Sequence, residues 1–153
     1  MQGQVKVTDA DAVGLALEVL PRIVRLLTQA SASPPPGDAP LTLTQFRLLK
    51  HLGGGPLLTG ELAARLEVTP ATVSAAIDGL VRRGMIARLP STGDRRIIPL
   101  GRTPLGESAL KGARERQALA LAALFSAMPP EAVGHLAVGL RALSRALDDH
   151  AGR

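Results

Sequence analysis

Apolar positions recur at helical spacing almost from one end of this chain to the other. Thr8-Asp9 can cap a first helix running to about Gln29. Within it, Val13, Leu17, Leu20, Val24 and Leu27 form one stripe at 4-3-4-3 spacing, and Leu15, Val19, Ile23 and Leu26 form a second. A helix apolar on two sides asks for more cover than one small domain supplies, so it is expected to meet another chain. Pro21 lacks an amide hydrogen and should bend or break it. The stretch from Ser31 to Pro40 contains three successive prolines and reads as a stiff loop.

After the loop the spacing shortens. Leu43, Phe46, Leu49 and Leu52 repeat at three-residue steps, predicting a short helix that stops at Gly53-Gly54-Gly55-Pro56. Thr59 is expected to cap the next helix, which should bury Leu62, Ala63 and Leu66. Glu67-Val68 makes a turn. Thr69-Pro70 then combines a hydroxyl cap with proline at the first helical position, a strong start signal. Val73, Ile77, Leu80 and Val81 form the inner face of the helix that follows, and Gly84 ends it in the left-handed conformation glycine takes cheaply. Two β-like runs, Met85–Leu89 and Ile97–Leu100, flank Ser91-Thr92-Gly93-Asp94-Arg95-Arg96 as a hairpin. Thr103-Pro104 opens a long helix to about Met128. Pro129-Pro130-Glu131 opens the last, where Val133, Leu136, Leu140, Leu143 and Leu147 make a 3-4-3-4 seam suited to helix pairing.

Charge sharpens this outline. The 153 residues carry a net +5, and residues 41–103 account for all of it, with nine positive against four negative side chains. Five arginines (Arg82, Arg83, Arg88, Arg95, Arg96) lie between 82 and 96 against one acid, Asp94. A helix-turn-helix followed by an arginine-tipped hairpin suits a DNA duplex: the helix enters the major groove while the hairpin reaches backbone or minor groove. Only two aromatic residues are present, Phe46 and Phe125, which argues against single-strand or RNA binding by base stacking.

Other chemistries find little support. There is no cysteine, so disulfides, thiolate metal sites and a cysteine redox switch are excluded within the chain. His51, His135 and His150 fall on separate elements without partners at ligand spacing. Glu131 four residues before His135 is read as a solvent-facing pair rather than a metal site. The glycines at 53–55 lack the lysine and helix cap of a phosphate-binding loop. No enzyme activity, cofactor or metal is expected. The longest apolar run, Ala118–Phe125, is too short to span a bilayer, and acids at 9, 11 and 18 interrupt any signal core. A cytoplasmic protein is expected.

The order of elements, and a set of motifs within it, resembles the multiple-antibiotic-resistance regulator (MarR) family. The motifs are Leu43-Thr44-Gln45-Phe46, Gly60-Glu61-Leu62-Ala63, Val68-Thr69-Pro70-Ala71-Thr72-Val73-Ser74 and Leu80-Val81-Arg82-Arg83-Gly84-Met85-Ile86, followed by Asp94-Arg95-Arg96 and Thr103-Pro104-Leu105-Gly106. The match spans roughly residues 41–110; the terminal helices agree in placement only. The resemblance implies a mainly α, winged helix-turn-helix fold with a two-stranded wing and terminal dimerisation helices. The whole chain, 1–153, would be one domain, with a DNA-binding lobe at 41–103 and dimerisation helices at 8–29 and 104–150. It further implies a homodimer reading a pseudo-palindromic operator in double-stranded DNA. Many members are repressors released by small anionic aromatic ligands bound between the dimer arm and the DNA-binding lobe, so a small-molecule effector is a further expectation.

Carried over by position, the recognition helix is Thr69–Arg83. Its early residues Ala71, Thr72, Ser74 and Ala75 face the groove, and Arg82 faces DNA further along. Thr72 and Ser74 can bond phosphates or base edges, and the alanine methyls can meet a thymine methyl. Thr69 is assigned to DNA as well, although capping is its stronger role. In the wing, Asp94 would orient Arg96 into the minor groove and Arg95 would lie along the phosphates. Arg22, Arg47 and His51 are the groups that could meet an effector's carboxylate. Three departures stand out. Ala75 replaces an arginine found in many relatives. Gly79 sits mid-helix, at about 1 kcal/mol relative to alanine with no evident local compensation. Pro99 falls in the second wing strand, where it removes a ladder hydrogen bond. The alternative to DNA reading is a winged-helix protein-interaction module that docks through its apolar terminal helices.

Overall fold

The computed structural model describes residues 9–34, 40–90 and 98–151. Its elements are α1 (Asp9–Ala32), α2 (Leu43–His51), a 3₁₀ turn (Leu52–Gly54), α3 (Thr59–Leu66), α4 (Pro70–Arg82), β1 (Ile86–Arg88), β2 (Leu100–Arg102), α5 (Pro104–Ser126) and α6 (Pro130–Ala151). This is the order of helices and two-stranded hairpin that the apolar pattern predicts, and the mainly helical winged-helix arrangement that the resemblance implies. The chain divides into two compact units, with the boundary inside α5 between Gln117 and Ala118.

In the first unit, one core gathers Leu48 and Leu49 of α2, Leu62 and Leu66 of α3, Val73, Ile77 and Leu80 of α4, Ile86 and Leu100 of the hairpin, and Leu110 of α5. The expected inner faces of α3 and α4 are therefore the observed ones. The three-residue repeat holds for Leu49 and Leu52, which are buried, and for Phe46, which packs against the core, but fails at Leu43. Leu43 is 41% exposed, whereas Leu48 and the preceding loop residue Leu41 are fully buried. A helix turns 3.6 residues per cycle, so strict three-residue steps drift off the buried face.

The helix starts follow their caps with one correction. The Thr42 hydroxyl accepts from the Gln45 amide at 3.2 Å, while the Gln45 side-chain oxygen accepts from the Thr42 amide at 3.1 Å. This reciprocal pair satisfies two amides that the first turn of α2 would otherwise leave bare. In α3 the expected cap, Thr59, is already helical. Leu58 holds the cap position in extended backbone, and its amide donates to Glu61 at 2.7 Å. The structure also extends α1 three residues past the expected end at Gln29. Buried Ser31 donates to the Leu27 carbonyl at 3.1 Å and accepts from the Gln117 side chain at 2.7 Å, and the Arg116 Nε donates to the Ala30 carbonyl at 3.1 Å. These bonds to α5 satisfy the end of a helix that composition alone assigns to a loop. Pro21 lies within α1 and does not end it.

The second strand lies further along than expected. Ile86 pairs with Arg102, Ala87 with Gly101 and Arg88 with Leu100, so β2 begins where the predicted run Ile97–Leu100 was to end. Ile97 is outside the described residues. Pro99 stands before β2, with its carbonyl accepting from the Leu89 amide at 2.8 Å. Leu100 also exchanges backbone bonds with Leu57, at 2.9 and 3.1 Å, a third pairing that the hydrophobic pattern did not signal. Proline cannot donate, so regular pairing starts one residue later.

In the second unit, no described residue is fully buried. The α6 seam leaves Leu140 at 48%, Leu143 at 47% and Leu147 at 59% exposed. On α1, Val13, Leu15 and Leu17 are at least 57% exposed.

Candidate nucleic-acid interface

The cap and the exposed face of α4 come from the same few residues. The Thr69 hydroxyl accepts from the Thr72 amide at 3.3 Å, and the two hydroxyls lie 2.9 Å apart. Thr69 therefore caps the helix while remaining exposed, and Thr72 shares its hydroxyl with that cap. Ala71, Thr72, Ser74, Ala75, Asp78 and Arg82 are all exposed, opposite the buried Val73, Ile77 and Leu80. The structure thus assembles every recognition-helix residue assigned from sequence on outward-facing positions of one helix. Small side chains at its first turns let backbone and hydroxyls approach a groove closely.

The other end of α4 is fastened from two directions. Gly84 adopts φ +69°, and the Met85 amide bonds back to the Leu80 carbonyl at 2.9 Å, closing the helix. The Thr103 hydroxyl donates to the Gly84 carbonyl at 2.6 Å and also accepts from the Gly106 amide at 3.1 Å, so one side chain joins the end of α4 to the start of α5. Gly106 is needed there because a β-carbon would overlap the Met85 carbonyl. On the opposite side, Arg83 donates to the Pro40 carbonyl at 2.6 Å and to the Gln45 side chain at 3.4 Å.

This changes the meaning of the arginine cluster. Arg83 is a fastener between α4 and the entry to α2. Arg88 is paired with Asp78 of α4 at 3.2 Å, with both side chains about half exposed. Arg82 is exposed and, among the described residues, has no ion-pair partner. Asp94, Arg95 and Arg96 lie outside the described residues. Composition counted five equivalent arginines; the structure gives two of them internal partners. Asp78 was missed because its partner is ten residues away, beyond the reach of helical spacing rules.

Two of the three residues assigned to an effector come together. Arg47 and His51 are one turn apart on α2, and His51 is held below its ordinary pKa, first by burial and then by the charges of Arg47, Arg65 and Lys50. Arg65 on α3 was not singled out from sequence. Arg22 is engaged elsewhere, in an exposed pair with Glu18 at 3.5 Å. Arg102 was also missed. Its side chain is only 16% exposed, donates to the Leu49 carbonyl at 2.8 Å and pairs with Glu107. Among the described residues there is no group of three side chains able to hold a metal, and no helix is long and apolar enough to cross a membrane.

Comparison with known proteins gives one consistent answer. Residues 39–97 match the model described as MarR family. The chain is 36% identical over 81 residues to the uncharacterized HTH-type transcriptional regulator YpoP of Bacillus subtilis, covering 52% of this chain and 57% of that one. It is 42% identical over 60 residues to the HTH-type transcriptional repressor MdtR of the same organism, covering 39% of this chain and 37% of that one. The matched stretch therefore spans about half the length of these curated relatives or less. The crystal structure of RV1404 from Mycobacterium tuberculosis superposes with a TM-score of 0.75 at 24% identity, covering 94% of this chain and 97% of that one. The likeness in fold thus runs through the terminal helices, whereas the likeness in sequence concentrates in the lobe that carries α4.

Proposed function

We propose that the chain, whose residues 39–97 match the MarR family model, is a winged-helix regulator of that family: a sequence-specific, double-stranded DNA-binding transcriptional regulator acting as a homodimer. The observation that carries this reading is α4 itself, a helix capped at its start by Thr69, with an outer face of small residues, and fastened at its end by the bonds from Arg83 to Pro40 and from Thr103 to Gly84. Thr72 and Ser74 meet base edges or phosphates, Ala71 and Ala75 meet methyl groups, and Arg82 meets the backbone. Thr69 contributes chiefly by capping. In the wing, Asp94, Arg95 and Arg96 take the roles that family resemblance gives them. With alanine at 75, selectivity leans on the wing and on DNA shape.

Dimerisation is supported by the apolar surface that α1 and α6 leave uncovered, including Leu17 at 73% and Leu147 at 59% exposure. Repression is the proposed outcome, by analogy with the relative named as a repressor. Release by a small anionic effector remains part of the proposal, with Arg47 and His51 as its contacts. Arg22 would have to leave Glu18 to join them.

A gel shift against the DNA upstream of the protein's own coding region tests the reading. Saturable binding that weakens steeply with added salt is expected, since arginine contacts release counterions from phosphate. Arg96→Ala should weaken it with the dimer mass unchanged in sedimentation. No retardation of that DNA, or retardation indifferent to salt, would count against the proposal.

A further inference from the structure

At the root of the hairpin lies an open groove of about 350 Å³. Leu52 and Pro56 line it from the segment between α2 and α3, and Ala87 and Leu89 line it from β1 and the residues just after. Two glycines keep it open. A β-carbon at Gly101 would come within 2.8 Å of the Leu89 side chain, and one at Gly53 within 2.9 Å of the Arg102 guanidinium. Arg102 is the charged lining residue.

We propose that this groove binds a small aliphatic carboxylate, with its anionic end on Arg102 and its hydrocarbon tail against Leu52, Pro56, Ala87 and Leu89. The guanidinium carries five N–H groups, of which the Leu49 carbonyl and Glu107 engage two, leaving donors for a second oxygen pair. Its side chain is 16% exposed, so a charge-assisted bond to it is little screened. Glu107 is the natural competitor, and at 57% exposure it returns to water at small cost. The named apolar contacts are aliphatic, which favours a flexible chain over a flat ring that would stack. A single, already partnered guanidinium suits a monoanion better than a phosphate. Both hairpin strands touch such an occupant, which gives it leverage over DNA binding; that consequence rests on the DNA-reading role proposed above.

Titration of the full chain with hexanoate, followed by amide chemical shifts in NMR, tests the site. Saturable shifts at Gly53, Ala87 and Gly101 are expected, and hexanamide should produce none. Arg102→Gln should weaken binding about tenfold, and Glu107→Gln, by removing the competing anion, should strengthen it severalfold. The opposite signs separate a binding role from a folding one. If the Arg102 variant fails to fold, the Glu107 variant decides alone. No saturable shift up to about 10 mM, equal affinity for hexanamide, or a Glu107→Gln variant that binds no tighter would each overturn the proposal. The titration contains no DNA, so its failure would leave the DNA-binding reading standing, and failure of the gel shift would leave this result standing.

Discussion

Replacing Gly79 with alanine sets intrinsic helix propensity against one tertiary contact. Gly79 is inside α4, where alanine is favoured by about 0.5–1 kcal/mol because glycine loses more backbone freedom on folding. The new β-carbon would lie 3.1 Å from Nε2 of Gln45, closer than ordinary van der Waals contact. Gln45 is not free to swing away. Its side-chain oxygen accepts from the Thr42 amide at 3.1 Å and from Arg83 at 3.4 Å. Moving it a few tenths of an ångström weakens a cap worth about 0.5–2 kcal/mol. The two effects should nearly cancel, leaving Gly79→Ala within about 0.5 kcal/mol of neutral. Gln45→Ala removes the obstruction, and in that background the same substitution should stabilise by about 0.5–1 kcal/mol. Urea unfolding followed by circular dichroism, at one fixed protein concentration because assembly contributes to stability, measures all four corners of the cycle. Full stabilisation by Gly79→Ala in the unmodified protein, with no coupling to Gln45, would refute the reasoning.

Gly106→Ala should be far more damaging, about 2 kcal/mol or more, because its β-carbon meets backbone rather than a movable side chain; thermal melting checks this. Thr69→Ala should cost about 1 kcal/mol and lower DNA affinity through a frayed recognition helix, which denaturation and fluorescence anisotropy measure separately. Burial and the neighbouring Arg47, Arg65 and Lys50 hold His51 below its ordinary pKa of 6.5, so the unfolded chain takes up its proton first as pH falls. Stability should therefore decline as pH drops below that ordinary value, toward the lower folded-state pKa, and His51→Gln should flatten that part of the profile in melts across pH 7.5 to 5.5. An equally steep profile in the variant would assign the dependence to other groups.

The elements and their ends were largely legible because caps, prolines and terminal glycines act within a few residues of themselves. Thr69-Pro70, Gly84 and Thr103-Pro104 behave as their local chemistry requires. The exposed face of α4 followed from helical period alone. What spacing could not supply were partners distant in sequence. Arg83 meets Pro40, Arg88 meets Asp78, Ser31 meets Gln117, and Leu100 pairs with Leu57. Several of these corrected a local expectation: an arginine counted for DNA, the last turn of α1 read as the start of a loop, a strand shifted along the chain. Gly79 looked like an uncompensated cost until α2 was seen lying against it.

Local sequence thus determined which segments are helices, where most of them start and which face of α4 is free, since those properties depend on backbone sterics and neighbours a few residues away. Only the tertiary structure decided which arginines remain available and where a partly buried guanidinium lines a groove, because burial and ion pairing depend on which distant segments the core draws together.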